Sequence, residues 1–183
     1  MNFVLLSWFL LIANVTEVVS FSWQSCETGS SQVISIKHLS LTPDPLVIPG
    51  NFHFNFKVRL MEDVDGALEG VLEIERRIGQ FVLPIPCIES IGSCTYSNLC
   101  EKINFFNGTT CPFHIPSCKC PFKAGEYDVQ SVKFPVKSIP DSIPLFGTFF
   151  VKIIVKNAGR EIGCYKFVLD VKSSEFWFDP FNL

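Results

Sequence analysis

The sequence predicts an all-β sandwich or barrel, and three observations carry that prediction. Short runs of alternating apolar and polar residues recur along the chain, turn signals stand between them, and eight cysteines, an even number, all lie beyond residue 20 of 183. Alternation with a period of two puts one face of a strand on a core and the other in water. Many such strands with frequent turns form sandwiches and barrels.

The chain opens differently. Phe3 to Val15, FVLLSWFLLIANV, is apolar and uncharged, the pattern of a secretory signal peptide, and the small residues of VVS place a cut after Ser20. A membrane anchor needs about 20 apolar residues, and Glu17 interrupts the run too early. Removal of the segment leaves 183 − 20 = 163 residues, enough for one domain with a sizeable core. A secretory route leads through an oxidising compartment, where an even set of cysteines forms disulfides.

The clearest strand is FHFNFKVRL, in which Phe52, Phe54, Phe56, Val58 and Leu60 alternate with His53, Asn55, Lys57 and Arg59. Further strands are read, with weaker alternation, in VISIKHLSL from Val33, VLEIERR from Val71, GQFVLPI from Gly79, EYDVQSVKF from Glu126, GTFFVKIIVKN from Gly147 and CYKFVLDVK from Cys164. PDP at Pro43, PGN at Pro49, Asp65-Gly66 and NAGRE from Asn157 separate them as turns. Only CTYSNLCEKINFF has a helical spacing, through Leu99, Ile103 and Phe106. The block from Cys87 to Cys120 holds six cysteines and few alternating runs, so bridges rather than core should hold it.

Composition narrows the functions. The net charge is −3 and the 15 basic residues form no cluster, which argues against nucleic acid. Nineteen phenylalanines fill a core or line an apolar cavity. GxSxG, HExxH, P-loop and GxGxxG motifs are absent, and His38, His53 and His114 read as solvated side chains. In MEDVDG, a calcium loop with Gly66 at its sixth position would begin at Met61 and end at Leu72, neither of which supplies a carboxylate. No CxxC occurs, which argues against zinc and redox chemistry. Cys118 and Cys120, one residue apart, are too far from one another in an extended chain to bond together, so each pairs elsewhere. Asn107 in NGT is a glycosylation acceptor, whereas Asn14 in NVT falls in the signal segment.

Five stretches in order, FSWQSC, LSLTPDPLVIPGN, IPCIESIGSCTYSNLC, CKCPFKAGEY and GREIGCYKF, resemble the lipid-recognition (ML) domain family. The resemblance spans Phe21 to about Ser174, leaving a tail from Glu175. It implies an immunoglobulin-like β-sandwich splayed into an apolar cup, stapled by Cys26–Cys164, Cys87–Cys94, Cys100–Cys120 and Cys111–Cys118. The cup or rim would comprise Trp23, Phe54, Phe56, Val58, Leu60, Val82, Ile143, Leu145, Phe146, Phe149 and Ile153. Val82 and Ile143 stand where the family uses rim tryptophans, and Asn51-Phe52-His53 lacks a family glycosylation site.

The implied activity is non-catalytic. Such a protein extracts a glycosphingolipid, a ganglioside, from a membrane surface and presents it to β-hexosaminidase A, without a cofactor or metal, in the lysosome lumen or after secretion. The alternative is a secreted phospholipid-binding or receptor-docking protein with no hydrolase partner. A small phospholipase and an adhesion-type sandwich with a filled core complete the readings.

Overall fold

A computed structural model describes residues 20–26, 32–102, 116–117, 119–136 and 146–173. In chain order these form β1 (Ser22–Ser25), β2 (Ile34–Thr42), β3 (Leu46–Ile48), β4 (Gly50–Leu60), β5 (Leu68–Ile78), β6 (Phe81–Pro84), β7 (Thr95–Tyr96), α1 (Leu99–Lys102), β8 (Gly125–Val136), β9 (Gly147–Asn157) and β10 (Arg160–Ser173). The larger sheet runs β1-β10-β9-β5-β6, with β3 added to β10 and β7 to β5. The smaller sheet is β2-β4-β8. All pairings are antiparallel except β3 with β10.

Local chemistry sets the turns. Ala158 and Gly159 both have positive φ, 50° and 81°, between the paired residues Asn157 and Arg160. That backbone matches the right-handed twist of the hairpin strands. Gly79, with φ 59°, opens the corresponding turn between Ile78 and Phe81.

Two bulges explain why the alternation was weak in β2 and β8. Phe54 pairs with Val132 and Phe56 with Val129, so Gln130 and Ser131 together face Asn55. Ser131 has φ 58°, and its amide donates to Asn55 Oδ1 at 2.7 Å. The extra residue returns Val132, Phe134 and Val136 to the face already held by Tyr127 and Val129. A shift between Ile36 and His38 does the same for β2, whose inner residues are Ile34 and Ile36, then Leu39 and Leu41.

Apolar side chains close the sandwich at its two ends. At one end Leu46, Ile48, Ile85, Phe149 and Val171 are buried, with Leu41, Phe52, Ile74, Val136, Val151 and Leu169 against them. At the other end Val33, Val64, Leu68 and Ile162 are buried, with Ile34, Leu60, Leu99, Phe122 and Val155 packed around them.

Three expected disulfides are formed: Cys26–Cys164, Cys87–Cys94 and Cys100–Cys120. The expected Cys111–Cys118 bridge, the Asn107 acceptor, His114, the signal segment through residue 19, and the tail from Glu175 lie outside the described residues. Of the helical spacing over residues 94–106, the described residues hold a helix only at Leu99–Lys102.

A candidate apolar site between the sheets

The strand registers place a third layer of side chains between the two closed ends. On β4, Phe52 belongs to one cluster and Leu60 to the other, and Phe54, Phe56 and Val58 fall between them. On β9, Ile153 lies between Val151 and Val155, paired with Leu72 of β5 and Tyr165 of β10. Phe167 pairs with Val151 and with Trp23 of β1, which brings the tryptophan onto the same inner face.

These middle residues face the opposing sheet and should be buried if the sheets met. Phe54, Phe56, Val58, Leu72, Ile153, Phe167 and Trp23 instead remain part exposed. Only Leu39, Tyr127, Val129 and Tyr165 of this layer are buried, Val129 to 1%. The middle layer is therefore less well covered than the two end clusters. Its lining is aromatic and aliphatic, with Phe54 and Phe56 rings 5.5 Å apart and Trp23 edge-on to Tyr165 at 6.2 Å.

One polar group crosses this interior. The Tyr165 hydroxyl, on the larger sheet, donates to Ile34 O at 2.7 Å and accepts from Ile36 N at 3.1 Å, both on β2 of the smaller sheet. Burial pushes its pKa above the ordinary tyrosine value, an effect that the Ile36 amide partly opposes. Beside it, Gly163 permits close approach, because a Cβ there would lie 3.1 Å from Ile34 Cβ.

A rim of exposed apolar residues stands at the end closed by Phe149. The β5–β6 hairpin exposes Ile78, Phe81, Val82 and Leu83, Phe81 to 73%, and the loop closed by Cys87–Cys94 exposes Ile88 and Ile91. Arg76 Nε donates to Phe146 O at 2.7 Å, joining the segment before β9 to this hairpin. Phe146 is 39% exposed. Arg77 lies 4.8 Å over the Phe150 ring.

Of the residues singled out from sequence, Trp23, Phe54, Phe56, Val58 and Ile153 share the inner middle layer, and Val82 and Phe146 are exposed at the rim. Leu60 and Phe149 pack in the closed ends. Ile143 and Leu145 lie outside the described residues. Sequence reasoning passed over Leu72, Phe167 and Phe81, although each stands in a run read as a strand. Charged pairs stand on the outer faces. His53 Nδ1 lies 3.3 Å from Ser131 Oγ there, while Lys57 pairs with Glu126 at 2.7 Å, Lys152 with Glu73 at 3.0 Å and Lys156 with Glu69 at 3.2 Å.

Fold and site together define a disulfide-stapled β-sandwich whose middle layer is apolar and part exposed. The ML domain family matches residues 20–171, and the chain belongs to that family. It is similar to the ganglioside GM2 activator of Mus musculus, with 29% identity over 173 residues, 89% of this chain and 88% of that protein. It shares 30% identity over 169 residues with the ganglioside GM2 activator of Macaca fascicularis, 87% of each chain. Among solved structures, a Niemann-Pick type C2 protein from Japanese carpenter ant matches with a TM-score of 0.45 and 17% identity, over 82% of this chain and 99% of that one.

Proposed function

We propose that this protein is a non-catalytic lipid carrier that takes the tails of a glycosphingolipid, a ganglioside, into the middle layer and leaves the sugar outside for a soluble hydrolase. The observation that carries this reading is the set of part-exposed apolar residues facing inward between two closed ends. Moving a lipid tail out of a bilayer forfeits about 0.8 kcal/mol per CH₂. A protein can offset that only with an apolar, unfilled interior. The exposed hairpin from Ile78 to Leu83, with Ile88, Ile91 and Phe146, supplies a surface for transient contact with a membrane.

The ganglioside headgroup and β-hexosaminidase A as partner are supported by the identity to ganglioside GM2 activators over most of both chains. The lysosome lumen, or the extracellular space, is the compartment that the apolar N-terminal run and the formed disulfides favour.

The test is a transfer assay from vesicles of phosphatidylcholine and fluorescent ganglioside, run with and without β-hexosaminidase A. Transfer without hydrolysis by the protein alone, and faster sugar release when both are present, is the expected result. Transfer with no effect on the hydrolase would overturn the partner and leave the carrier. No transfer at all overturns the carrier. Ile153→Trp, which fills the middle layer, should abolish binding, while Phe81→Asp should abolish extraction but spare binding of detergent-dispersed lipid.

A further inference from the structure

The first strand is short and stands at an edge, so its two ends need holding. β1 has four residues, Ser22–Ser25, and pairs with β10 at the end of the larger sheet. It brings Trp23 to the middle layer, edge-on to Tyr165. Terminal strands fray unless something ties them down. At the far end Cys26 is bonded to Cys164, and its amide donates to Cys164 O at 3.0 Å. At the near end the Phe21 amide donates to Asp44 Oδ2 at 2.7 Å, and Ser20 Oγ donates to the same oxygen at 2.6 Å. Asp44 is exposed, in the turn between β2 and β3. Among the described residues no Lys, Arg or His forms an ion pair with it.

Phe21 is also the residue that comes first when the apolar segment is cut after Ser20. The tie to Asp44 therefore falls on the atom whose chemistry that cut changes. Hydrolysis of the Ser20–Phe21 amide consumes one water. Its oxygen joins the Ser20 carbonyl carbon, giving a carboxylate, and its two hydrogens join the Phe21 nitrogen, giving an ammonium. A neutral amide with one N–H becomes a cation with three. The Ser20 hydroxyl leaves with the cut segment, so Asp44 exchanges two neutral donors for a charged one. A hydrogen bond with ionised partners is about twice as strong as a neutral one.

We propose that the Ser20–Phe21 bond is the processing site and that Asp44 captures the freed α-ammonium of Phe21, which makes Asp44 a positioning residue for Trp23. Only the use of Trp23 for lipid rests on the carrier reading; the capture does not. Two other charged groups, Asp170 and Lys172 of β10, line the groove that Asp44 lines. The first favours a cation there and the second opposes it, and Asp44 is the one that touches the Phe21 nitrogen. An α-amino group ordinarily titrates at about 7.7–8.0, and a carboxylate partner raises that value. The stability that the pair contributes is thus complete below the ordinary value and lost as pH rises through the raised one.

In the experiment the whole chain is secreted from cells, and intact mass with N-terminal sequencing identifies its first residue. A ¹⁵N label on phenylalanine and tryptophan then lets the α-nitrogen and the Trp23 indole be followed by NMR against pH. The expected results are a chain that begins at Phe21 and an α-amino pKa at least about 0.5 unit above the ordinary value, returning to it in Asp44→Asn. The Trp23 indole resonance should titrate with the same midpoint in the unaltered protein and lose that step in Asp44→Asn. A first residue other than Phe21, or an α-amino pKa indifferent to Asp44→Asn, would overturn the capture. An indole resonance indifferent to the titration would overturn the positioning role. Should Asp44→Asn fail to fold, one glycine inserted between Ser20 and Phe21 moves the charge off the Phe21 nitrogen, and an α-amino pKa that stays raised there overturns the capture equally. None of these readouts uses a lipid, so failure of the carrier reading would leave them standing.

Discussion

Tyr165→Phe isolates a polar tie between the sheets. The side chain is 6% exposed, and the substitution keeps the ring and its edge contact with Trp23 while removing only the hydroxyl. Ile34 and Ile36 lie on an edge strand of the smaller sheet, where backbone groups pointing away from β4 have no ladder partner. The hydroxyl serves one acceptor and one donor of that row. At about 1 kcal/mol for each hydrogen bond, the loss is about 2 kcal/mol, or a melting temperature lower by about 4–8 °C for a domain of this size. Urea denaturation followed by fluorescence measures it, with Tyr96→Phe as an exposed-hydroxyl comparison. The pH dependence adds a second signature. Burial raises the Tyr165 pKa above its ordinary 10.0, so the unfolded phenol ionises first. The stability that the neutral hydroxyl contributes is therefore complete below about pH 10 and lost as pH rises through the folded-state pKa. The gap between the original protein and the Phe variant should be constant through neutral pH and narrow above 10. A loss under about 0.5 kcal/mol, or a gap that widens at high pH, would refute the clasp.

Three further outcomes are expected. Cys26→Ser with Cys164→Ser opens a loop with a sequence separation of 138, for which chain entropy gives up to about 5 kcal/mol, against about 2.4 for the separation of 7 between Cys87 and Cys94; similar melting losses for the two double variants would refute this ordering. The Lys123 ammonium, with help from the Ala124 amide, lowers the Asp63 pKa below its ordinary 3.8, so this contact's stability is present above that value and lost as pH falls through the folded pKa. Asp63→Asn should flatten stability only below about pH 4, and a difference between the two proteins that changes between pH 5 and 7 would refute it. Phe146→Asp should abolish extraction from vesicles, because a charge in lipid costs a few kcal/mol, with little change in melting temperature; a large melting loss would place Phe146 in the core.

Which parts of this molecule were legible depended on whether the cause was local. β4 was readable because its alternation continues unbroken from end to end, and β9 because Phe149, Val151, Ile153 and Val155 keep one face apolar although Phe150 and Ile154 stand on the other. β2 and β8 were blurred because a bulge shifts the period within each, at Ile36 to His38 and at Gln130-Ser131. β1, β3 and β7 are too short and too dependent on partners for any period to show. β3 in particular exists through parallel pairing with β10, 125 residues away at Leu46 and Val171. The same limit governs the site. Alternation showed that Phe52 through Leu60 share a face, but not that Phe52 and Leu60 close the ends while Phe54, Phe56 and Val58 stay part exposed. That difference depends on the distance between sheets, which no stretch of sequence encodes by itself.

Apolar side chains left part exposed between the sheets have a cost in stability that must be met elsewhere. Fully burying a large apolar side chain contributes about 1.5–3 kcal/mol. Leaving six such residues part exposed, Phe54, Phe56, Val58, Leu72, Ile153 and Phe167, forgoes a fraction of that for each, a few kcal/mol in sum, against a total of about 5–15 kcal/mol that holds a whole domain. The described disulfides lie where they can compensate without obstructing the middle layer. Cys164 alternates with Tyr165 and therefore bonds to Cys26 on the outer side of β10. Cys100–Cys120 ties α1 to the chain before β8 beside one closed end, and Cys87–Cys94 holds the loop next to buried Ile85 at the other. Cross-links act largely on the unfolded chain, so they stabilise the fold without filling it. A ligand that binds only the folded state adds stability in proportion to the logarithm of its concentration over Kd. A protein saturated with lipid should thus tolerate loss of the Cys26–Cys164 bridge better than the empty one. Equal tolerance in the two states would mean that the lipid does not bind the folded chain in preference to the unfolded one.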